Sequence, residues 1–328
     1  MPLVTVLATG GTIASRSGAG RGATAEDGGA DLVARLDLPA GLEVRVRDVF
    51  RVGGFRMTLD RVSELARAVA AELRDPDVAG VVVTHGTDTT EESAFFLDLF
   101  HDDPRSVVLT GAQRAADAPD TDGPRNLTDA VTAAAAPGTR RLGVLICFGG
   151  QLFPARGTRK THTLAADTFT NPSAGPLGWV HRGEVALVGR PRRGTALPLD
   201  AFDPSGVRVD VVPCYPDADA TTLRACVEAG ARGIVLEATG AGNANPAICA
   251  AVTDVTAAGI VVVTSTRVAA GPVMPIYGDG GGADLLAAGA VPTGLLRPSQ
   301  SRMLLAALLG IHRDPALVRR TFRERVGP

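Results

Sequence analysis

Gly80-Val81-Val82-Val83-Thr84-His85-Gly86-Thr87-Asp88-Thr89-Thr90-Glu91-Glu92 carries the chain from an apolar run through a polar loop into an acidic helix start. Three successive valines suit a strand covered on both faces, as in a parallel sheet. Glu91 and Glu92 suit the first turn of a helix, where carboxylates meet the positive end of the dipole. The same rhythm recurs on either side. Strands are expected at Leu3 to Ala8 and Glu43 to Val49 upstream, and at Ser106 to Thr110 and Leu142 to Phe148 downstream. Later ones are expected at Val207 to Val212, Gly233 to Glu237 and Ile260 to Thr264. Helical patterns fall between them, at Leu59 to Leu73, Glu91 to Phe100, Pro124 to Ala135, Thr221 to Ala229 and Ala247 to Ala257. Alternating strand and helix predicts an α/β fold with a parallel sheet.

A Pro/Gly/Arg-rich stretch from Gly189 to Pro204 interrupts the alternation. It reads as a linker, over 191–205, between an N-terminal domain (1–190) and a smaller C-terminal α/β domain (206–328). At 328 residues, with 45% hydrophobic and 21% charged side chains, the chain has the composition of a globular protein. The net charge of -2 argues against nucleic acid or an anionic membrane as the main partner. No basic, apolar leader precedes Leu3, and no apolar stretch is long enough to span a bilayer, so a cytoplasmic location is expected. Cys147, Cys214, Cys226 and Cys249 lack metal-ligand spacing and read as reduced core thiols.

Ligands of open α/β sheets bind at the carboxyl ends of strands, so the strand exits are the candidate site. The first is Thr9-Gly10-Gly11-Thr12, the second Thr84 to Thr90, the third Thr110-Gly111-Ala112-Gln113. Lys160 is the only lysine among 33 Lys and Arg residues, and it lies beside Thr161, His162 and Thr163. Arginine cannot give up a proton near neutrality, so a lone lysine is a candidate for proton transfer. Two threonine hydroxyls, a carboxylate and this lysine form a nucleophile kit, because a hydroxyl needs a base to become reactive. Backbone N–H groups in the glycine turns are candidate oxyanion donors. Structural readings compete: Thr89 or Thr90 as N-cap of the next helix, and Asp122 as N-cap before Pro124. The Gly-rich segment Ser15 to Gly29 reads as a mobile functional loop. Within it, Gly18 to Ala23 mimics a dinucleotide fingerprint but does not directly follow a strand. The five histidines show no helical metal spacing, and His162 alone falls near the proposed site.

These motifs together resemble the bacterial L-asparaginase family. The resemblance rests on Thr9-Gly10-Gly11-Thr12-Ile13-Ala14 and His85-Gly86-Thr87-Asp88-Thr89. It extends through Thr110-Gly111-Ala112, Asp122 to Leu127, Lys160-Thr161, Gly175 to Gly178, Gly242 to Asn245 and Ser265 to Val268. It implies a flavodoxin-like N-terminal domain, a smaller C-terminal α/β domain, and amide hydrolysis without metal or cofactor. By the same resemblance Thr12 is the nucleophile, Thr87, Asp88 and Lys160 form a second catalytic set, and Asp88 also receives the substrate ammonium. Gly11, Gly54, Phe55, Thr87, Asp88, Ala112 and Asn245 are the implied substrate-binding positions. Asn245 is expected to reach a neighbouring subunit's site in a homodimer or homotetramer. The implied partner is a small amide, L-asparagine or a related one; amidation of glutamate on tRNA and ligand binding without turnover are the alternatives.

Three positions depart from the family pattern. No tyrosine occurs between Ser15 and Gly29, where the family's loop supplies one. The family's Ser-Gln pair, which holds the α-carboxylate and α-amine, aligns with Gly54-Phe55. The acid contributed by the C-terminal domain has no counterpart in Gly271 to Tyr277. Weaker recognition of the α-groups is therefore expected.

Overall fold

The computed structural model describes residues 1–18, 22–38 and 41–327. The chain divides into two compact units, one from Met1 to Leu197 and one from Pro198 onward.

The first unit begins with β1 (Leu3–Gly10), a short hairpin of β2 (Ser15–Arg16) and β3 (Thr24–Ala25), and α1 (Gly29–Val33). Next come β4 (Glu43–Val52), α2 (Leu59–Glu72), β5 (Val78–Thr84), α3 (Thr90–Phe100), β6 (Val107–Thr110), α4 (Gly123–Ala135) and β7 (Val144–Phe148). The parallel strands lie in the order β4-β1-β5-β6-β7. That is the flavodoxin-like order, whose direction of winding reverses between β1 and β5. Beyond β7 the sheet continues antiparallel through β8 (Gln151–Pro154), β11 (Gly178–His181) and β12 (Glu184–Leu187). A separate two-stranded ribbon joins β9 (Arg159–Lys160) to β10 (Phe169–Thr170).

Burial explains why the valine runs are strands. Val4, Val6, Val81, Val82, Val83, Val107 and Val108 have no accessible surface. Each such side chain contributes about 1.5–3 kcal/mol by leaving water. On the helix side, Phe95 and Phe96 of α3 and Leu127, Ala130 and Val131 of α4 are buried to a similar degree. Thr58 starts α2 by accepting the Arg61 N–H at 3.2 Å, and Pro124 occupies the first turn of α4.

The second unit carries β13 (Val209–Pro213), α5 (Thr221–Glu228), β14 (Gly233–Ala238), α6 (Pro246–Ala257), β15 (Val261–Thr266), α7 (Gly282–Ala287) and β16 (Val291–Pro292). It ends with α8 (Pro298–Ile311) and α9 (Pro315–Val326). Its four strands are parallel in sequence order. All four cysteines are free, and burial raises the thiols of Cys214 and Cys249 to about 11, which disfavours the reactive thiolate at these two. Among the described residues, no helix is long and apolar enough to cross a membrane.

Candidate active site

The switch between β1 and β5 brings their exits together, and glycine makes the approach possible. A Cβ on Gly11, whose φ is 81°, would lie 2.5 Å from the Gly86 nitrogen. A Cβ on Gly86 would lie 2.4 Å from the Gly54 nitrogen, and one on Gly111 would lie 2.4 Å from the His85 oxygen. The exits of β1, β4, β5 and β6 are thus stacked backbone against backbone, closer than any side chain allows.

Thr12 opens a 3-10 turn over Thr12–Ala14 directly after this contact. Its hydroxyl has no hydrogen-bond partner among the described residues. On the adjacent exit, Thr87 opens the turn Thr87–Thr89 ahead of α3. Lys160, on β9, donates from Nζ to Thr87 Oγ1 and to Asp88 Oδ1, both at 2.9 Å. The Lys160 side chain is 17% exposed and that of Asp88 54%, so the ion pair is half wet and serves geometry more than stability. Thr87 donates onward to Gln113 Oε1 at 3.1 Å. An open cavity of about 450 Å³ borders Asp88, Glu91, Arg159, Lys160 and His162.

Several supporting residues carried no clear signal in the sequence. Glu91 accepts the Lys160 backbone N–H at 2.8 Å and so anchors β9 to α3; as a helix-start acid it had an ordinary explanation. Gln113 Nε2 donates to the carbonyls of Thr163 and Ala165, tying the third exit to the segment after Lys160. Asp122 is no side-chain N-cap. Its carboxylate accepts from the backbone N–H groups of Gln113 and Arg114, at 3.0–3.1 Å, and from Asn126 Nδ2. Asn126 in turn donates to the Gly111 carbonyl and accepts from the Gly149 N–H. Thr89 and Thr90 also leave the N-cap reading unfilled. Thr89 donates to the Gly54 carbonyl at 2.8 Å and Thr90 to the Gly86 carbonyl at 3.0 Å, locking exit to exit.

Two glycine-turn donors are already engaged. The Gly11 N–H bonds the Val52 carbonyl at 2.9 Å, and the Gln113 N–H bonds Asp122. Neither is free for an oxyanion. His162 is committed to its own turn: Nδ1 accepts the N–H groups of Leu164 and Ala165 at 3.0 and 2.9 Å. Ala112, expected at the substrate, has no accessible surface, backbone included. Phe55 is 78% exposed and folds over Gly53, where a Cβ would meet its ring at 2.7 Å. In the second unit, Asn245 caps α6: its oxygen accepts from Ile248 N–H at 3.0 Å and its nitrogen donates to the Ala218 carbonyl at 2.6 Å. One amide hydrogen and one lone pair are left for any other partner.

Of the loop from Ser15 to Gly29, residues 19–21 lie outside the described residues, and with them the middle of the pseudo-fingerprint. Among the described residues no three His, Cys, Asp or Glu side chains are grouped as metal ligands.

The sequence matches the asparaginase N-terminal family model over residues 3–193 and the glutaminase/asparaginase C-terminal domain over residues 208–322. It is 37% identical to a probable L-asparaginase of Deinococcus radiodurans, covering 99% of this chain and 98% of that one. It is 34% identical to an L-asparaginase of Bacillus licheniformis, covering 95% and 96%. The crystal structure of a probable cytoplasmic L-asparaginase from Campylobacter jejuni superposes with a TM-score of 0.86 at 29% identity, covering 98% of this chain and 99% of that one. With both family models matched in order and full-length relatives above 30% identity, the chain belongs to the asparaginase family.

Proposed function

We propose that the protein hydrolyses L-asparagine to L-aspartate and ammonia, with Thr12 as nucleophile. The observation that carries this reading is the Lys160–Thr87–Asp88 cluster, two 2.9 Å contacts on the exit whose glycine abuts the Thr12 exit. Thr12 Oγ attacks the side-chain amide carbon and its proton passes to the neighbouring set. The amide nitrogen leaves as ammonia after taking up a proton, and an acyl ester remains on Thr12. Water then passes a proton through Thr87 to Lys160 in its neutral amine form and attacks that ester, and the same proton returns to the Thr12 oxygen as L-aspartate is released. Asp88 holds the lysine with one oxygen and offers the other to the substrate ammonium. The oxyanion takes its donors from N–H groups other than those of Gly11 and Gln113.

Gly54 supplies no hydroxyl and Phe55 no carbonyl for the α-groups. One missing hydrogen bond to a charged group weakens binding by about 1.5–3 kcal/mol, or roughly 10- to 100-fold. The KM for L-asparagine is expected well above the low-micromolar range, or else an amide with an apolar substituent against Phe55 is preferred. Ammonia release from purified protein over a panel of amides tests both statements. Turnover of L-asparagine supports the reading, and release from none of the amides contradicts it. We further propose a cytoplasmic homo-oligomer, dimer or tetramer, in which Asn245 completes a neighbour's site; this follows from family membership.

A further inference from the structure

The segment after Thr12 contains a charged cluster that the chemistry above does not use. Asp27 is only 6% exposed. Its carboxylate accepts from Arg16 Nε at 2.5 Å, from Arg16 Nη2 at 3.3 Å and from Arg35 Nη2 at 2.7 Å. Arg16 lies on the outgoing leg of the Ser15 to Gly29 loop and Arg35 follows α1, so the carboxylate ties that leg to the end of α1. Burial acts to raise the Asp27 carboxyl, but the hydrogen bonds and charges of the two guanidiniums prevail, and it stays ionised at neutral pH.

The same residue is tied to the Thr12 turn through its backbone. The N–H groups of Glu26 and Asp27 both donate to the Ala14 carbonyl, at 2.8 and 3.0 Å. Ala14 is the last residue of that turn. Ser15 closes the link, donating its hydroxyl to the Gly11 carbonyl at 2.9 Å and its N–H to the Thr12 carbonyl. Across the hairpin Arg16 pairs with Thr24 and Ser15 with Ala25. The outer side is braced as well: Arg51 donates to the Glu26 carbonyl at 2.8 Å, and Ala116 N–H donates to the Ser15 carbonyl at 2.8 Å.

We propose that Asp27 is a positioning residue for Thr12: by binding Arg16 it ties the loop's two legs together, by binding Arg35 it anchors them to the end of α1, and through Ala14 and Ser15 it fixes the turn that presents the hydroxyl. The proposal rests on Thr12 being the nucleophile. The restraint comes from the ion cluster of Asp27, Arg16 and Arg35. Asp27 acts on the hydroxyl through the backbone and touches no reacting atom. A shift of about 1 Å in a reacting group costs on the order of 100-fold in rate.

The test compares wild type, Asp27→Asn, Asp27→Glu and Arg16→Gln, with ammonia release from L-asparagine expressed per folded molecule by circular dichroism. Asp27→Asn is expected to lower kcat about tenfold or more while KM changes less than about twofold, because the misplaced group is the nucleophile and not a substrate contact. Asp27→Glu keeps the charge and should recover part of the loss. Arg16→Gln, which leaves Arg35 on Asp27, should fall between. A merely structural role would lower the melting temperature and the folded fraction but leave kcat per folded molecule intact. An active wild type with kcat within about twofold in both Asp27→Asn and Arg16→Gln overturns this inference alone. If Asp27→Asn does not fold, Arg16→Gln decides. An inactive wild type overturns the functional reading and this inference with it.

Discussion

His85 sits inside the motif that decides the fold, yet its imidazole has no accessible surface. Nδ1 lies 2.8 Å from the Gly86 carbonyl and Nε2 has no partner among the described residues. Burial pushes the ring down to about 4, and the Gly86 carbonyl opposes this only in part. An unfolded chain takes up the proton near the ordinary value of about 6.5, so between these values the unfolded state binds more protons than the native one. The stability present above pH 6.5 is therefore lost as pH falls towards 4, by about 3 kcal/mol from this residue. Urea titrations at pH 7 and pH 4 should show a smaller pH-dependent loss in His85→Asn than in wild type; equal losses would contradict the assignment. Single residues were also where the sequence was least legible. Thr12, Thr87, Asp88 and Lys160 stood out by type and position. Thr89, Thr90 and Asp122 looked like helix caps because capping residues and loop-locking residues are the same short polar side chains. Only three-dimensional neighbours, the Gly54 and Gly86 carbonyls and the Gln113 N–H, separate the two roles.

At the scale of elements, the strand exits act as one stacked unit. Gly54 appeared in the sequence as a lost substrate contact, but a Cβ there would lie 2.8 Å from the Gly86 oxygen and 3.0 Å from its carbonyl carbon. Replacing it with the serine common in the family should strain the exit stack. Overpacking of this kind costs about 1–3 kcal/mol, so Gly54→Ser should melt several degrees lower without improving KM. An unchanged melting temperature with a lowered KM would contradict this. Parallel strands were legible because full burial leaves continuous valine runs, and five helices because their apolar period is plain. The edge elements were not. β8, β11 and β12 have four residues each, and β9 and β10 two, too short for a period of two to register. α8 is buried nearly all round from Met303 to Leu309, which erases the amphipathic signature.

For the whole molecule, both units have their own sheet, and the catalytic groups proposed here all come from the first. Asn245 is the one proposed site residue in the second, and most of its amide is spent on capping α6. If it completes a neighbour's site, light scattering should show activity in a multiple of the 33.6 kDa chain. An active species at 33.6 kDa would contradict the oligomer. In the proposed mechanism the lone lysine handles the proton for a threonine nucleophile. The most direct test is kcat on L-asparagine for Lys160→Met beside Thr12→Val and wild type. Each variant is expected to fall by about two orders of magnitude or more, as when a nucleophile or its base is removed. Near wild-type turnover in folded Lys160→Met would contradict the account.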